Sequence, residues 1–537
     1  MFKYLARRIL LWTRGRFGNI PHWRSASFVR EIPSSGKTDV LIATNVGSYL
    51  PGTIVESVIA ARLLSRGKSV SVVVCDAALP ACMACTKEWL PKIEKFLHNG
   101  PDRLMCWVCQ KSGPRAFNGL PVKRIKLSDY LETSDRESVD GILAALPFEE
   151  LKVFQWNGIH IGEHGRAGAI RYLKSDLLLA ADHAEELLRR FCAAAMLTAI
   201  AYQRILKQHR PSGVLAHHGV YVPQGVVTDL ARLYRLQLVT WMPSYRRNTV
   251  LFASGDTYHK VMVKPLDTNL PVLTAEQTRE LRKYLADRET GVADWISFSS
   301  TESLNSGILE ELELEPTRPI VTLYTNVSWD AQVHFEDNIF EDMFDWLRST
   351  IVYITTRFPK VQVVVRVHPG EVVGQLRSEQ PVAQELQQWN EIDFRQIRIV
   401  DAKSRISSYS LARLSQFTVI YASKIGIELA ARGSRVLVGG EAWVKNKGVS
   451  VDPSNREEYF AALEQLIRTT SSDVDTRVAE QFAYHVFFRA MRDISSLTTS
   501  NGYPPFRILN DITNGSLGTD ENLDSVIDYL TGTANQI

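Results

Sequence analysis

The sequence predicts an α/β protein made of two doubly wound halves. Three observations predict it. Short runs of Val, Ile and Leu recur between Gly, Pro, Asn or Ser residues, each followed by a segment of helical periodicity. The series starts near residue 38 and starts again near 317, after a stretch with no strong apolar pattern. A chain of 537 residues is also long enough for two or three domains with full-sized cores.

Residues 1–34 form a basic leader to this series. The first thirty, MFKYLARRILLWTRGRFGNIPHWRSASFVR, hold seven Lys/Arg and no acid, so an overall charge of +3 leaves −4 on the other 507. Phe2, Leu5, Ile9 and Trp12 fall at helical spacing, with Arg7, Arg8 and Arg14 for the other face. That pattern suits an amphipathic helix on anionic lipid, or equally a helix packed on the body of the protein. ILLW is too short for the apolar region of a signal peptide. No run approaches the roughly 18 apolar residues of a spanning helix.

The N-terminal half, 35–288, opens with strand TDVLIAT (38–44), helix TIVESVIAARLLSRG (53–67) and strand SVSVVVC (69–75). This is a βαβ unit and implies a parallel sheet. Later come a long helix over roughly 175–208, strand SGVLAHHG (212–219), a helix over 223–234 and strand LQLVTWM (236–242).

Between these blocks lies a cysteine-rich insert, 75–118. Cys82/Cys85 and Cys106/Cys109 make two C-x-x-C pairs separated by twenty residues. Four of six cysteines within 28 positions of so long a chain favour metal ligation in a reducing compartment over a disulfide framework. Four such thiolates suit a closed tetrahedral zinc site, structural because no coordination position stays open. The ion would offset the chain entropy of an insert too small to bury its own core. An iron–sulfur cluster is the rival reading, kept open by Cys75 seven residues upstream.

Residues 289–316 read as the connection, and 317–470 as the second half. Strand PIVTLYT (319–325), a loop at 326–330 and a long helix through 340–358 lead to VQVVVRV (361–367), IRIV (397–400), FTVIY (417–421) and RVLVGG (435–440). Residues 471–537 read as a helical tail. Two Rossmann-like halves with a linker describe the architecture called GT-B, in which two sheets face a common cleft. Ligands of such sheets bind outside the carboxyl ends of the strands.

RVHPGE places Arg366 in a strand and His368 at its mouth, where Pro369 turns the chain. A proton-donating His beside an Arg suits a nucleotide phosphate leaving as an anion. A strand-end His bonded only to backbone is the plainer alternative. VIYASKIGIELAARGSRVLVGG is strand, small-residue loop and helix, with Ser423 and Gly426 at a turn whose N–H groups can hold an oxyanion. Glu428, in the first helical turns, can take ribose hydroxyls. In the first half HHGVYVPQG brings His217 or His218 to a strand end, and GIHIGEHGRAGAIR supplies Glu163, His164, Arg166 and Arg171. His218 and Glu163 are the candidate bases for an acceptor hydroxyl. Outside the first thirty residues no basic stripe with interleaved aromatics occurs, which argues against nucleic acid as a partner.

The succession LYTNVSWDA, RVHPGE, YASKIGIELAARGSRVLVGG and NKGVSVDP, within 317–455, resembles the capsule and surface polysaccharide biosynthesis family of bacterial glycosyltransferases. That family includes transferases of the Kdo type and shares a His-Pro motif with bacterial sialyltransferases. The first half is similar more loosely, through CDAALPACMAC, IGEHGRAGAIRYLKS and HHGVYVPQG. The resemblance implies transfer of a sugar from a nucleotide-sugar donor, CMP-linked compounds among the candidates, to a growing surface polysaccharide or glycolipid. It implies a cytoplasmic enzyme, peripheral at the inner face of the cell membrane through the basic N-terminal helix. His368 would contact or protonate the leaving phosphate, with Arg366, Ser423, Lys424, Gly426 and Glu428 near the nucleotide. Asn326 and Asp330 would face the donor or the cleft, and Gly47 would let the backbone approach a sugar closely. The family reads Ser followed by Ser or Thr where this chain has Ser423-Lys424, which leaves the donor nucleotide open. A CDP-alcohol phosphotransferase of cell-envelope polymers and a non-catalytic nucleotide- or glycan-binding scaffold are the alternatives.

Overall fold

The computed structural model describes residues 23, 38–175, 182–265, 270–294, 306–330, 332–372, 377–469, 474–499, 506–508 and 519–537. The basic amphipathic helix expected in 1–34 lies outside them. Of that segment only Trp23 is described, fully buried, with its indole N–H donating to the carbonyl of Ala116 at 3.0 Å. Among the described residues no helix is long and apolar enough to cross a membrane. The chain divides into unit 1, Met1–Leu173 with Leu177–Val261 and Met491–Ile537, and unit 2, Lys174–Asp176 with Met262–Ala490.

In unit 1 the elements are β1 (Val40–Asn45), α1 (Leu50–Ser65), β2 (Val70–Val74), α2 (Arg103–Arg115), β3 (Lys123–Lys126), α3 (Ile161–Leu173), α4 (Ala184–His209), β4 (Gly213–His217), α5 (Gln224–Leu233), β5 (Gln237–Pro243) and β6 (Thr249–Ser254). The described residues form one seven-stranded sheet in the order β3-β2-β1-β4-β5-β6, closed at the far edge by the strand Met491–Asp493. β1 to β5 are parallel, and β6 and the last strand run antiparallel. Helices cover both faces of such a sheet, which is why its central strands read as unbroken apolar runs. α1 is buried nearly all round, from Leu50 to Leu64, and Pro51 sits in its first turn where no N–H is missed.

Two expectations about organisation need correction. Residues 471–537 do not form one helical tail: those up to Ala490 belong to unit 2, and Met491–Ile537 add the edge strand and the helix Glu521–Leu530 to unit 1. That helix is fastened to α1 by Asp524, which accepts from Arg62 Nε and Nη2 at 2.7 and 2.6 Å. Gly213 makes the approach possible, since a Cβ there would lie 2.2 Å from the carbonyl oxygen of Leu530. The division into units also falls at 261/262 rather than within 289–316, of which 295–305 lie outside the described residues.

The segment 75–118 is likewise part of unit 1 and not a coreless insert. Phe96 stacks on Tyr172 with ring centroids 4.9 Å apart, and Val108, Ala116 and Phe117 are buried. α2 presses on the loop after β1, where a Cβ on Gly47 would fall 2.2 Å from the carbonyl oxygen of Cys109 and 2.9 Å from Cα of Gly113. Gly47 is therefore small because a helix lies on it.

Unit 2 carries β7 (Ile320–Tyr324), β8 (Gln362–Arg366), β9 (Ile397–Val400), β10 (Phe417–Ile420) and β11 (Val436–Val438), with helices α6 (Ala275–Glu289), α7 (Met343–Arg357) and α8 (Ile425–Ala431). The sheet is parallel throughout, in the order β11-β10-β7-β8-β9. Asp342 caps α7 by accepting from the N–H groups of Phe344 and Asp345 at 2.7 and 2.8 Å. The helix buries Trp346, whose indole donates to the Tyr459 hydroxyl at 2.9 Å in the core of the unit.

Candidate functional site

In unit 2 the chain runs outward from β7 in both directions, through β8 and β9 on one side and β10 and β11 on the other. The switch point of the sheet thus lies between β7 and β10, where ligands of doubly wound sheets bind. The loop after β7 carries Asn326 and Asp330, the loop after β10 carries Ser423 and Lys424, and the turn after β8 carries His368. The backbone N–H of His368 donates to Thr325 Oγ1 at 3.0 Å, tying that turn to the loop beside it.

The His368 ring is set by its own turn. Nδ1 accepts from the N–H of Gly370 at 3.0 Å, which leaves the proton of the neutral ring on Nε2. Burial pushes its pKa down to about 4, aided by the charges of Arg366 and Lys424 and opposed by Asp330. At neutral pH it is an uncharged N–H donor with an ammonium and a carboxylate in electrostatic reach. Lys424 Nζ also stands 4.7 Å from the ring centroid of Trp443. Asn326 Oδ1 and Ser328 Oγ are buried with no hydrogen-bond partner among the described residues. Buried polar atoms of this kind usually have a partner, so the β7 loop offers two unspent groups.

Three residues expected at the nucleotide have other work. Arg366 turns away, donating from Nε to Ser408 Oγ at 3.1 Å and from Nη1 to the carbonyl of Asp401 at 2.8 Å, and burial lowers its pKa to about 10. Glu428 accepts from Arg288 Nε and Nη2, each at 3.0 Å, and from the hydroxyl of Tyr409, so at least three donors hold its carboxylate before any ribose arrives. Arg288 also pairs with Asp294 at 2.7 Å, making a buried ionic cluster. Gly426 is small for packing: a Cβ there would fall 2.5 Å from Ile420 Cδ1. Ser423 remains at the turn, buried.

In unit 1 the switch point lies between β1 and β4 by the same reasoning. The His217 ring packs against Tyr49 at 4.8 Å, His218 at 4.0 Å and Trp241 at 4.9 Å between centroids. Burial, with the charge of Arg171, drives its pKa down to about 3, and its Nδ1 has no partner among the described residues. His218 takes a left-handed φ of 34°, donates its N–H to the carbonyl of Trp241 at 2.8 Å, and accepts at Nδ1 from the N–H of Val220 at 3.2 Å.

Glu163 is not brought to these histidines. It occupies the first turn of α3, where its charge acts on His160; His160 and His164 both bond Asp229 Oδ2, at 3.1 and 3.0 Å. The histidine end of α3 belongs to Arg171, eight residues or about 12 Å further along. Arg171 lies 4.9 Å from the ring centroid of Tyr221 and donates to the carbonyl of Met83 at 3.2 Å.

Sequence reasoning missed Glu56. Fully enclosed in α1, it accepts from Trp241 Nε1 at 3.2 Å and from the hydroxyl of Thr44, whose oxygen in turn accepts the N–H of His217 at 2.9 Å. Its signal was a single acid inside the apolar run TIVESVIAA. Burial raises its pKa from 4.5 to about 8, so it is protonated near neutrality. A carboxyl with a raised folded pKa contributes stability fully below pH 4.5 and loses it as pH climbs through 8. Glu56→Gln should therefore flatten the decline in melting temperature between pH 5 and 8. An unchanged slope would contradict the buried, protonated state.

Cys75, Cys82, Cys85, Cys106 and Cys109 line one cavity of about 30 Å³. Cys82 and Cys85 form a tight turn with Sγ atoms 4.0 Å apart, but Cys106 and Cys109 lie one turn apart inside α2 instead of on a second knuckle. Among the described residues no group of three or more His, Cys, Asp or Glu is arranged to hold a metal ion. The closed zinc site expected from spacing is thus not formed by the side chains as they stand.

No family model matches the chain, and no curated protein matches it in sequence. Among solved structures it is similar to the Thermosulfurimonas dismutans KpsC beta Kdo 2,4 transferase, at 14% identity over 59% of this chain and 87% of that one, with a TM-score of 0.33. The beta Kdo 2,7 transferase of the same KpsC gives 12% identity, coverage of 62% and 89%, and a TM-score of 0.28. The UDP-GlcNAc 2-epimerase of Neisseria meningitidis gives 9% identity, coverage of 84% and 99%, and a TM-score of 0.24. Each is a distant likeness, by identity and by TM-score alike.

Proposed function

We propose that the chain is a glycosyltransferase that takes its nucleotide-sugar donor at the strand ends of unit 2. The observation that carries this reading is His368, an uncharged imidazole with its proton on Nε2, at the end of β8 beside the loop after β7 and in electrostatic reach of Lys424 and Asp330. A departing nucleotide phosphate gains negative charge as the glycosidic bond breaks. Donors fixed where that charge grows stabilise the transition state more than the ground state. His368 donates from Nε2 to a phosphate oxygen, and Lys424 supplies the positive charge that a neutral imidazole lacks. Asn326 Oδ1 and Ser328 Oγ are suited to hydroxyls of the donor.

The acceptor, a glycan or glycolipid hydroxyl, is assigned to the strand ends of unit 1. His217, with its pKa near 3, is too weak a base to take a proton at neutral pH. His218 is the base in this reading; to take the proton at Nε2 its ring must carry its own proton on Nδ1 and give up the bond from the N–H of Val220.

Thermal melts of the full chain with CMP-, CDP-, UDP- and GDP-linked sugars test the donor assignment. A ligand at 100 times its Kd stabilises the folded form by about 2.7 kcal/mol, a shift of several degrees. One class of nucleotide sugar should give that shift, and Lys424→Ala should weaken it. Stabilisation by a CDP-alcohol alone would favour a phosphotransferase, and no shift with any compound would remove the proposed donor site.

A further inference from the structure

We propose that Glu56 is a positioning residue for the histidine pair at the carboxyl end of the unit 1 sheet, holding His217 and, through it, His218. This role rests on the reading of His218 as the acceptor base and extends it to the group that sets that base in place.

An acid is costly where Glu56 stands. Every residue of α1 from Leu50 to Ala61 is buried, and a polar group there must be bonded to be tolerated. Two bonds converge on one of its oxygens: Oε1 accepts from the hydroxyl of Thr44 and from Trp241 Nε1, the latter at 3.2 Å. Because Oε1 accepts twice, the acid proton belongs on Oε2. One turn earlier, on the same face of the helix, Gly52 clears space for the rings beside the site. A Cβ there would lie 2.7 Å from Tyr49 Cδ1 and 3.6 Å from Trp241 Cη2. A leucine at position 56 could fill the volume; what the acid adds is an acceptor.

Both groups that Glu56 holds bear on His217. Thr44 Oγ1 accepts the His217 N–H at 2.9 Å, and the Trp241 indole packs on the His217 ring at 4.9 Å between centroids. The carbonyl of Thr44 accepts from Gln224 Nε2 at 2.9 Å, which ties the start of α5 to the same point. The His217 ring in turn lies 4.0 Å from that of His218, whose N–H is bonded to the carbonyl of the same Trp241. One carboxyl therefore fixes a residue of β1 and a residue of β5, and between them they set the histidines at the end of β4.

The surroundings keep this carboxyl neutral. Strands β1, β2 and β5 hold no ionisable side chain, and β4 holds only His217. From α2 the residues beside Glu56 are Gly113 and Pro114, with Cys109 one turn away. On the helix Glu521–Leu530, Asp524 is taken up by Arg62, six residues or about 9 Å further along α1. Arg507 stands on the short strand Phe506–Ile508. With burial dominant, ionisation waits until about pH 8. A carboxylate then appears behind the histidines, whereas an amide in its place offers the same acceptor without charge at any pH.

The test labels the histidine Cε1 carbons of the full chain with carbon-13 and follows the ring signals by NMR from pH 5 to 9.5. His217→Gln and His218→Gln identify the two signals. The His217 ring stays neutral throughout, its own pKa lying near 3, so a step in its signal reports a neighbour. The wild type should show that step near pH 8, and Glu56→Gln should lack it while matching the wild-type ring signals at pH 6. Glu56→Ala, which leaves Thr44 and Trp241 without their acceptor, should shift both ring signals already at pH 6. No step near pH 8 in the wild type, or one that persists in Glu56→Gln, would overturn the role. Ring signals of Glu56→Ala identical to wild type would overturn it as well. The wild-type and glutamine spectra decide the matter even where the alanine variant fails to fold. Failure of the transfer reading is seen separately: nucleotide-sugar melts without a shift remove the reaction, and leave the ring signals as they are.

Discussion

Replacing His368 with alanine is expected to lower kcat by about 10²–10³-fold, the loss seen when one donor to a developing oxyanion is removed, with the melting temperature of the nucleotide-free protein little changed. The expectation follows from the ring's state. Its Nδ1 is occupied by Gly370 N–H, so only Nε2 can serve a ligand, and burial beside Arg366 and Lys424 keeps the ring uncharged above about pH 4. His368→Gln, which retains a neutral N–H donor, should recover part of the loss. Any limb of the kcat–pH profile near 6.5 should persist in His368→Ala, because the His368 ring is already uncharged at that pH. Wild-type turnover by the alanine variant, or a limb near 6.5 that vanishes in it, would each remove the proposed role.

The largest effect on stability is expected at Arg288. Its guanidinium joins Asp294 at 2.7 Å and Glu428 at 3.0 Å, both carboxylates being almost wholly buried, and it lies 5.0 Å from the ring centroid of Phe487. Arg288→Met keeps most of the volume but strands two charges in the interior. Breaking a buried pair in this way costs about 3–5 kcal/mol. Glu428→Gln should cost less, about 1–2 kcal/mol, because the arginine keeps Asp294. Chemical denaturation of the three proteins measures both, and equal losses would contradict the cluster as described.

These two residues mark how far sequence alone reaches. His368 was legible because it follows a strand centred on Val363–Val365 and the proline after it turns the chain out of the sheet. Strands β1, β2, β4, β5, β7, β9, β10 and β11 were legible from apolar runs of the kind that parallel strands buried on both faces leave, whereas β3 (KRIK) and β6 were not read as strands. Arg288 was not, because its partner Glu428 is 140 positions away and α6 reads as an ordinary charged surface helix. Glu428 itself looked like a ligand residue because position in a strand–loop–helix turn predicts direction but not which neighbour arrives first. Gly47 and Gly426 carried the signature of close approach, and only the packing reveals that the approaching groups are α2 and Ile420. The edge strand Met491–Asp493 has three residues, Met, Arg and Asp, too few to show any period.

That strand bears on how the polypeptide is made. A ribosome that has emitted everything up to Val261 has not yet produced the edge strand beside β6 or the helix that meets Arg62. Until unit 2 has also emerged, the nascent first unit exposes an unpaired sheet margin, the kind of surface that recruits chaperones or neighbouring chains. Biosynthesis from the N-terminus therefore cannot finish unit 1 before unit 2, and a stop codon before Met491 would injure the portion translated at the beginning.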